Sequence, residues 1–425
     1  MTNLSKSISV LLTATAISTY AFAAQSAEMR MSWWGGDSRH KATQEALKVC
    51  GEKHGHTIKP EFTGWSGHLE KVTTQIAGGT EADIMQINWP WLPLFSINGD
   101  GFANLYDFKD TIALDNWSED QLTAGEMKGK LNGLPLSTTG RVYMFNKTAY
   151  EKAGLEVPTT WAELIAAAPV FKEKLGEDYY PFDAATINAV LLVSNVAAQK
   201  TGKDLIDPAT MTVAWTADEL ADAIEFYQSL VDQGVIQSWK DGAAEGKMKL
   251  HENPKWAKGQ LAGSYEWDST YFKYSDPLEE GNELVPVRIL KVEGSQTEGV
   301  YRKASMTFAI SKNSKNPEAA AQIVNCMLTE PEGIAAMGTA RGLPASKAAA
   351  TQLIESGAIK PILKEANGII MSSTGPAVSP FNEHPDVRTV LQDILEEFAY
   401  GQIDAQTAAQ EIINGVNEAL EDYRS

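Results

Sequence analysis

Between Glu28 and Asn88 the hydrophobic period switches back and forth, and that alternation limits the possible folds more than any other feature of the chain. "EMRMSWW" alternates like a strand, and "HKATQEALKVCGEKHG" has helical spacing that ends at Gly51 or Gly55. "TIKPEF" reads as a second strand, "GHLEKVTTQIAGG" as a second helix closed by Gly78 and Gly79, and "ADIMQIN" as a third strand. Strands that alternate with helices lie parallel in a sheet covered by those helices. An α/β architecture follows.

The length of 425 residues exceeds what one hydrophobic core supports, since cores stop growing near about 250 to 300 residues. Two lobes are expected. Further helices are read over "TTWAELIAAAPVFKEKLG", "TADELADAIEFYQSLVDQG", "NPEAAAQIVNCMLTEPEG" and "DAQTAAQEIINGVNEALEDY". Thr160 is placed to cap the first of these, and Pro317 suits a first helical position. Neither an internal repeat nor a low-complexity linker interrupts the chain, so the lobes are expected to interleave.

The first residues hold one cation, Lys6, then an apolar run from Ile8, then small residues at Ala21 and Ala23. That order reads as a secretion signal over residues 1–23. Thr13, Thr15, Ser18 and Thr19 interrupt the run, which falls short of the roughly 20 apolar residues that span a membrane. A periplasmic location is expected. The net charge is −19, and losing Lys6 with the leader makes it −20. This argues against nucleic acid as a partner. Cys50 and Cys326 sit at apolar positions of helical stretches, where free core thiols and a disulfide both remain open.

Catalytic signatures are missing from the sequence. The six histidines fall in no HExxH or comparable spacing, and the chain has no GxSxG elbow, Walker loop or GxGxxG. Adjacent acids such as Glu279 and Glu280 read as solvated faces. A glycosidase dyad needs no fixed spacing, so a secreted glycosidase stays as a third reading. Neither a metal nor a cofactor is called for.

The aromatics carry more information. Trp33, Trp34, Trp65, Trp89, Trp91 and Trp267 lie at strand ends or in loops punctuated by Gly and Pro, whereas Trp161 and Trp256 sit inside regular patterns. Open α/β sheets bind ligands beyond the carboxyl ends of their strands. An indole there offers its face to the C–H face of a pyranose ring.

"YMFNKTAYEKAGLEVPTTWAEL" resembles the Asn-Lys, Ala-Gly-Leu, Pro-Thr-Thr-Trp segment of family 1 extracellular solute-binding proteins, the carbohydrate-binding partners of bacterial ABC importers. "TTQIAGGTEADIMQIN", "WAKGQLAGSYEWDST", "FAISKNSKNPEAAAQIVNCML" and "RGLPASKAA" match further stretches in order, from about Met29 to the C-terminus. Ala82 stands where the family usually has Pro. Within that family, "MSWWGGDSRH", "GWSGHLEKVTTQIAGGTEADIMQINWPWLP", "GRVYMFN" and "KGQLAGSYEWDSTYFKYSD" are similar to the oligogalacturonide-binding proteins of pectin uptake.

The resemblance implies a two-lobed periplasmic binding protein fold with a hinge of two to three crossovers, near Leu136 to Arg141, Val285 to Val292 and Gly342 to Ala345. One lobe would take residues 24–137 and 292–342, and the other 138–291 and 343–425. Cys50 and Cys326 would then share a lobe, which makes a disulfide plausible. It also implies a monomer that binds an oligosaccharide and docks on an ABC permease. A uronate ligand needs local cations to override the acidic field, and Arg is the best carboxylate partner. Cation candidates in the cleft loops are Arg39, His40, His68, Arg141, Lys303 and Arg341. Trp34, Trp65, Trp89 and Trp267 would stack on sugar rings, and Asn88 and Asp268 would take hydroxyls. A neutral oligosaccharide is the alternative ligand.

Overall fold

The computed structural model describes residues 26–424 apart from Glu245 and Lys247. The leader expected over residues 1–23 lies outside the described residues. Among those described, no helix is long and apolar enough to cross a membrane.

The expected alternation is present. β1 (Glu28–Trp34), α1 (Asp37–His54), β2 (Thr57–Thr63), α2 (His68–Ala77) and β3 (Ile84–Asn88) follow one another. β1 pairs in parallel with both β2 and β3. Two later strands complete a five-stranded sheet in the order β2-β1-β3-β9-β4, where β4 is Leu134–Pro135 and β9 is Met306–Ile310. β9 runs antiparallel to both of its neighbours, because it enters from the far end after a long excursion. All of β3 and β9 is buried, as suits central strands covered on both faces.

A second sheet is built around β5 (Thr138–Asn146), which pairs antiparallel with β6 (Gly263–Trp267), β7 (Leu284–Val287) and β8 (Arg302–Ala304). Helices α3 (Trp161–Leu175), α4 (Ile187–Thr201) and α5 (Ala217–Asp232) belong to this half. Thr160 caps α3 in a reciprocal box with Glu163, as its position before the Trp161/Glu163 turn predicts.

Two separate cores divide the chain. The first gathers Met31, Ile84, Leu134, Phe308 and Val324; the second gathers Tyr143, Phe182, Ile224, Tyr265 and Leu391. α6 (Pro317–Thr329) packs on α1 within the first, and Cys50 of α1 is disulfide-bonded to Cys326 of α6. The thiols are therefore not free.

Two of the expected crossover points need correcting. Val292, Val300 and Tyr301 are buried in the second core, so the return to the first comes at Ala304 to Met306 rather than at residue 292. Likewise α8 (Lys347–Glu355) packs with α7 (Pro331–Met337) through Ile334, Ala349 and Leu353. The chain therefore crosses again only before α9 (Pro361–Ser372), not at residues 342–345. The reason is common to both: the apolar residues at 292 and 300 pack in the second core and those at 349 and 353 in a small cluster with Ile334 of α7, and the sequence alone locates neither. At the junction, Leu136 N–H donates to Met306 O at 3.0 Å, Ser305 N–H to Ser137 O at 2.9 Å, and Ala345 N–H to Leu136 O at 2.8 Å.

Candidate functional site

A cavity of about 720 Å³ opens between the two halves. Trp34, Arg39, Trp65, Asn88 and Met306 line it from the side of the first sheet. Asp183, Asn188, Glu266, Trp267, Lys273 and Tyr274 line it from the second. Thr139, Arg141, Lys303 and Ser305, which flank the passages between the halves, complete the wall.

Strand pleating explains the Trp pair. Successive side chains of β1 point to opposite faces, so Trp33 is fully buried while Trp34 reaches the cavity. Trp33 donates its indole N–H to His40 Nδ1 at 3.1 Å. Trp34 packs edge-on against Trp65, centroids 5.3 Å apart, and beside Trp91 at 5.2 Å. Trp65 and Trp91 stack at 5.3 Å. Trp65 is 49% exposed, and so holds most of the free aromatic surface of this cluster.

Arg39 lies in the first turn of α1. A Cβ on Gly35 would come within 2.8 Å of Arg39 Cδ, so glycine is needed for that side chain to fold back. Its guanidinium donates to the carbonyls of Ala340 at 3.0 Å and Trp34 at 3.4 Å. Burial lowers its pKa to about 10, which leaves it charged at neutral pH. Among the described residues no carboxylate pairs with it.

Two further cation candidates, Arg141 and Lys303, are already engaged. Arg141 is buried on β5 and bonds Tyr265 O, Asn188 Oδ1 at 2.5 Å and Glu266 Oε2 at 3.4 Å. Only its Nε lacks a partner. Lys303 pairs with Glu383 at 2.5 Å, and burial pulls its pKa down. Both cations lie over the Trp267 ring, Arg141 Cζ at 5.2 Å and Lys303 Nζ at 4.8 Å from its centroid. That indole is thus held in place electrostatically as well as by packing.

Five expected contacts lie outside the cavity wall. His40 stacks on Phe62 at 4.3 Å and accepts from Trp33. His68 is buried and bonds Thr63 Oγ1 at 2.7 Å, and burial drops its pKa to about 4, so it carries no charge for a ligand at neutral pH. Trp89 is buried and donates to Ala124 O at 2.6 Å. Asp268 accepts from Thr139, Gly140, Ser269 and Asn367, which uses both of its oxygens. Arg341 is buried and donates to Gln86 Oε1 at 2.7 Å, while Gln86 donates to Trp34 O at 3.2 Å. Its role is to position the end of β1. His40 and His68 are held by partners a few residues away, whereas Trp89, Asp268 and Arg341 meet partners far along the chain that spacing does not reveal.

Asp183, Asn188, Glu266 and Lys273 are wall residues that sequence reasoning missed. Glu266 sits inside the quoted "SYEWDS", where a charged residue in a strand next to Trp267 was the available signal. Thr186, with φ 51° and ψ −119°, also lines the cavity. A β-branched residue at positive φ is strained by about 1–3 kcal/mol and such outliers cluster at binding sites.

With this geometry in hand, the comparisons are specific. The model of the bacterial extracellular solute-binding proteins matches residues 37–334. A periplasmic solute-binding protein of Pectobacterium atrosepticum is 38% identical, with a TM-score of 0.89, over 94% of this chain and 100% of that one. A periplasmic oligogalacturonide-binding protein of Yersinia enterocolitica, solved with saturated digalacturonic acid, is 37% identical with a TM-score of 0.87, over 93% of this chain and 99% of that one. A binding protein of Brucella abortus is 29% identical over 236 residues, and the match spans 53% of this chain and 56% of that relative's length. The two sheets and two cores are the α/β lobes of this two-lobed fold. This chain belongs to the bacterial extracellular solute-binding proteins.

Proposed function

We propose that this chain is a periplasmic binding protein that captures an oligogalacturonide between its two lobes and delivers it to an ABC permease. The observation that carries the reading is the cavity wall itself, with Trp65 half exposed and Arg39 charged and, among the described residues, without a carboxylate partner. An exposed indole face suits a pyranose ring, and a guanidinium suits the planar carboxylate that distinguishes a uronate from a hexose. The relative of known structure bound to saturated digalacturonic acid supports the same ligand class. Arg39 would hold a ligand carboxylate, Trp65 and Trp267 would stack on rings, and Asn88 would take a hydroxyl. Trp34 would contribute an edge rather than a face.

Capture works through lobe closure. A ligand that touches both lobes stabilises the closed state by its differential contacts, and closure is the shape a permease distinguishes. No reaction, metal or cofactor enters this mechanism.

A neutral oligosaccharide is the second reading, and one observation favours it: Arg141 and Lys303 are already neutralised by Glu266 and Glu383. Calorimetric titration with digalacturonate, trigalacturonate and a maltose oligomer separates the two. Binding of the uronates alone, weakened by salt, supports the acidic ligand. Binding of the maltose oligomer instead overturns it and leaves the aromatic wall as the recognition element.

A further inference from the structure

Asp183 is an acid of the cavity wall that, among the described residues, has no counter-charge. Asp183 is 8% exposed and lines the cavity. Its backbone N–H donates to Gly263 O at 2.7 Å. Among the described residues no cation pairs with its carboxyl, and the backbone of Ala185 is the neighbour that favours its charged form. Its charged and titratable surroundings come from several elements. Glu266 faces it from β6, already held by Arg141 of β5 and by Asn188 of α4, whose amide donates at 2.7 Å. Tyr227 of α5 is nearby but spends its hydroxyl proton on Ala184 O at 2.9 Å. Tyr274 and Lys273 stand on the short helix Tyr271–Ser275, with His251 beside Tyr274. Lys273 and His251 share the cavity wall but bond elsewhere or are directed to Tyr274.

A polyanionic sugar entering this cavity meets a buried carboxyl without a cation to shield it. Two carboxyl groups in hydrogen-bond contact do not both ionise; one retains a proton and donates it in a short O–H···O bond. We propose that Asp183 meets the ligand as a carboxylic acid, so that capture of a uronate takes up a proton, whereas capture of a neutral sugar, whose hydroxyls bond either form of the carboxyl, does not. This rests on the uronate reading of the site. Burial, with Glu266 adding to it, already pushes the Asp183 pKa up to about 7, so the acid form is populated at neutral pH. The sign follows: below about pH 7 the proton is already present and affinity is flat, whereas above it affinity falls towards tenfold per pH unit.

The test is calorimetric titration of the intact protein with digalacturonate from about pH 5.5 to about pH 9, in two buffers of different ionisation enthalpy. Expected is uptake approaching one proton per ligand above about pH 7, none near pH 5.5, and the matching fall in affinity. Asp183→Asn, uncharged at every pH and still a donor, should bind without proton uptake. His251→Gln should retain the uptake. Binding of digalacturonate with no buffer-dependent heat above pH 7 overturns the proposal and leaves the uronate reading intact. So does uptake that survives in Asp183→Asn or vanishes in His251→Gln. Failure of digalacturonate to bind at any pH overturns the uronate reading, and the proposal falls with it.

Discussion

His68 shows how far burial can move a residue away from the role its type suggests. Its imidazole lies under Trp34, with ring centroids 5.3 Å apart, and is held by Thr63. Loss of hydration lowers its pKa to about 4, against about 6.5 for the unfolded chain. A histidine whose folded pKa is depressed costs stability as it is forced to protonate. The free-energy difference between the native protein and His68→Gln should therefore shrink as pH falls from about 6.5 to about 4, by up to about 3 kcal/mol. Chemical denaturation of both proteins across that window checks it; a pH-independent difference would remove the linkage. Arg39 is the opposite case, since burial leaves its guanidinium charged. Replacing it with Ala should weaken digalacturonate by about 1.5–3 kcal/mol, the range for hydrogen bonds to charged groups, and leave binding of a neutral oligosaccharide unchanged. Trp65→Ala should weaken every oligosaccharide, by about 0.5–1.5 kcal/mol. Of these three residues, the place of Trp65 and Arg39 in the cavity wall was legible from their loops. His68 was not, because its burial depends on tryptophans that the fold brings in from β1 and from the segment after β3.

Among the elements, α1 and α6 are joined by the Cys50–Cys326 disulfide, whose partners lie 276 positions apart. Cross-linking so long a loop restricts the unfolded chain strongly, and removing such a bond typically costs about 2–5 kcal/mol. A Cys50→Ala, Cys326→Ala double variant should lose stability in that range. It should keep its ligand affinity, because neither cysteine lines the cavity. Denaturation midpoints and calorimetry on the same preparation check both halves of that statement. The helices themselves were well marked by sequence. Thr160 forms with Glu163 the reciprocal cap that its spacing announces, and the structure adds a second such box at Thr216 and Glu219. α1 starts one turn earlier than its apolar pattern indicates, at Asp37 rather than His40. The first turn bears only polar residues and adds nothing to the periodicity.

For the whole molecule, a ligand that binds only the folded, closed state stabilises the protein by mass action. At a free concentration one hundred times its Kd, digalacturonate should raise the unfolding free energy by about 2.7 kcal/mol, and small-angle scattering should show a smaller radius of gyration. An unchanged radius on saturation would sink lobe closure. The local order of strands and helices, the parallel start of the first sheet, the helix caps and the aromatic loops were all determined by sequence alone, because period, turn residues and capping pairs act over a few residues. The antiparallel entry of β9, the crossings at 304–306 and beyond α8, and the partnering of Arg141 with Glu266 and Lys303 with Glu383 were decided only by tertiary structure. These depend on which distant segments share a core or a buried charge. A residue's type states what it can bond; only the packed chain states which partner reaches it first.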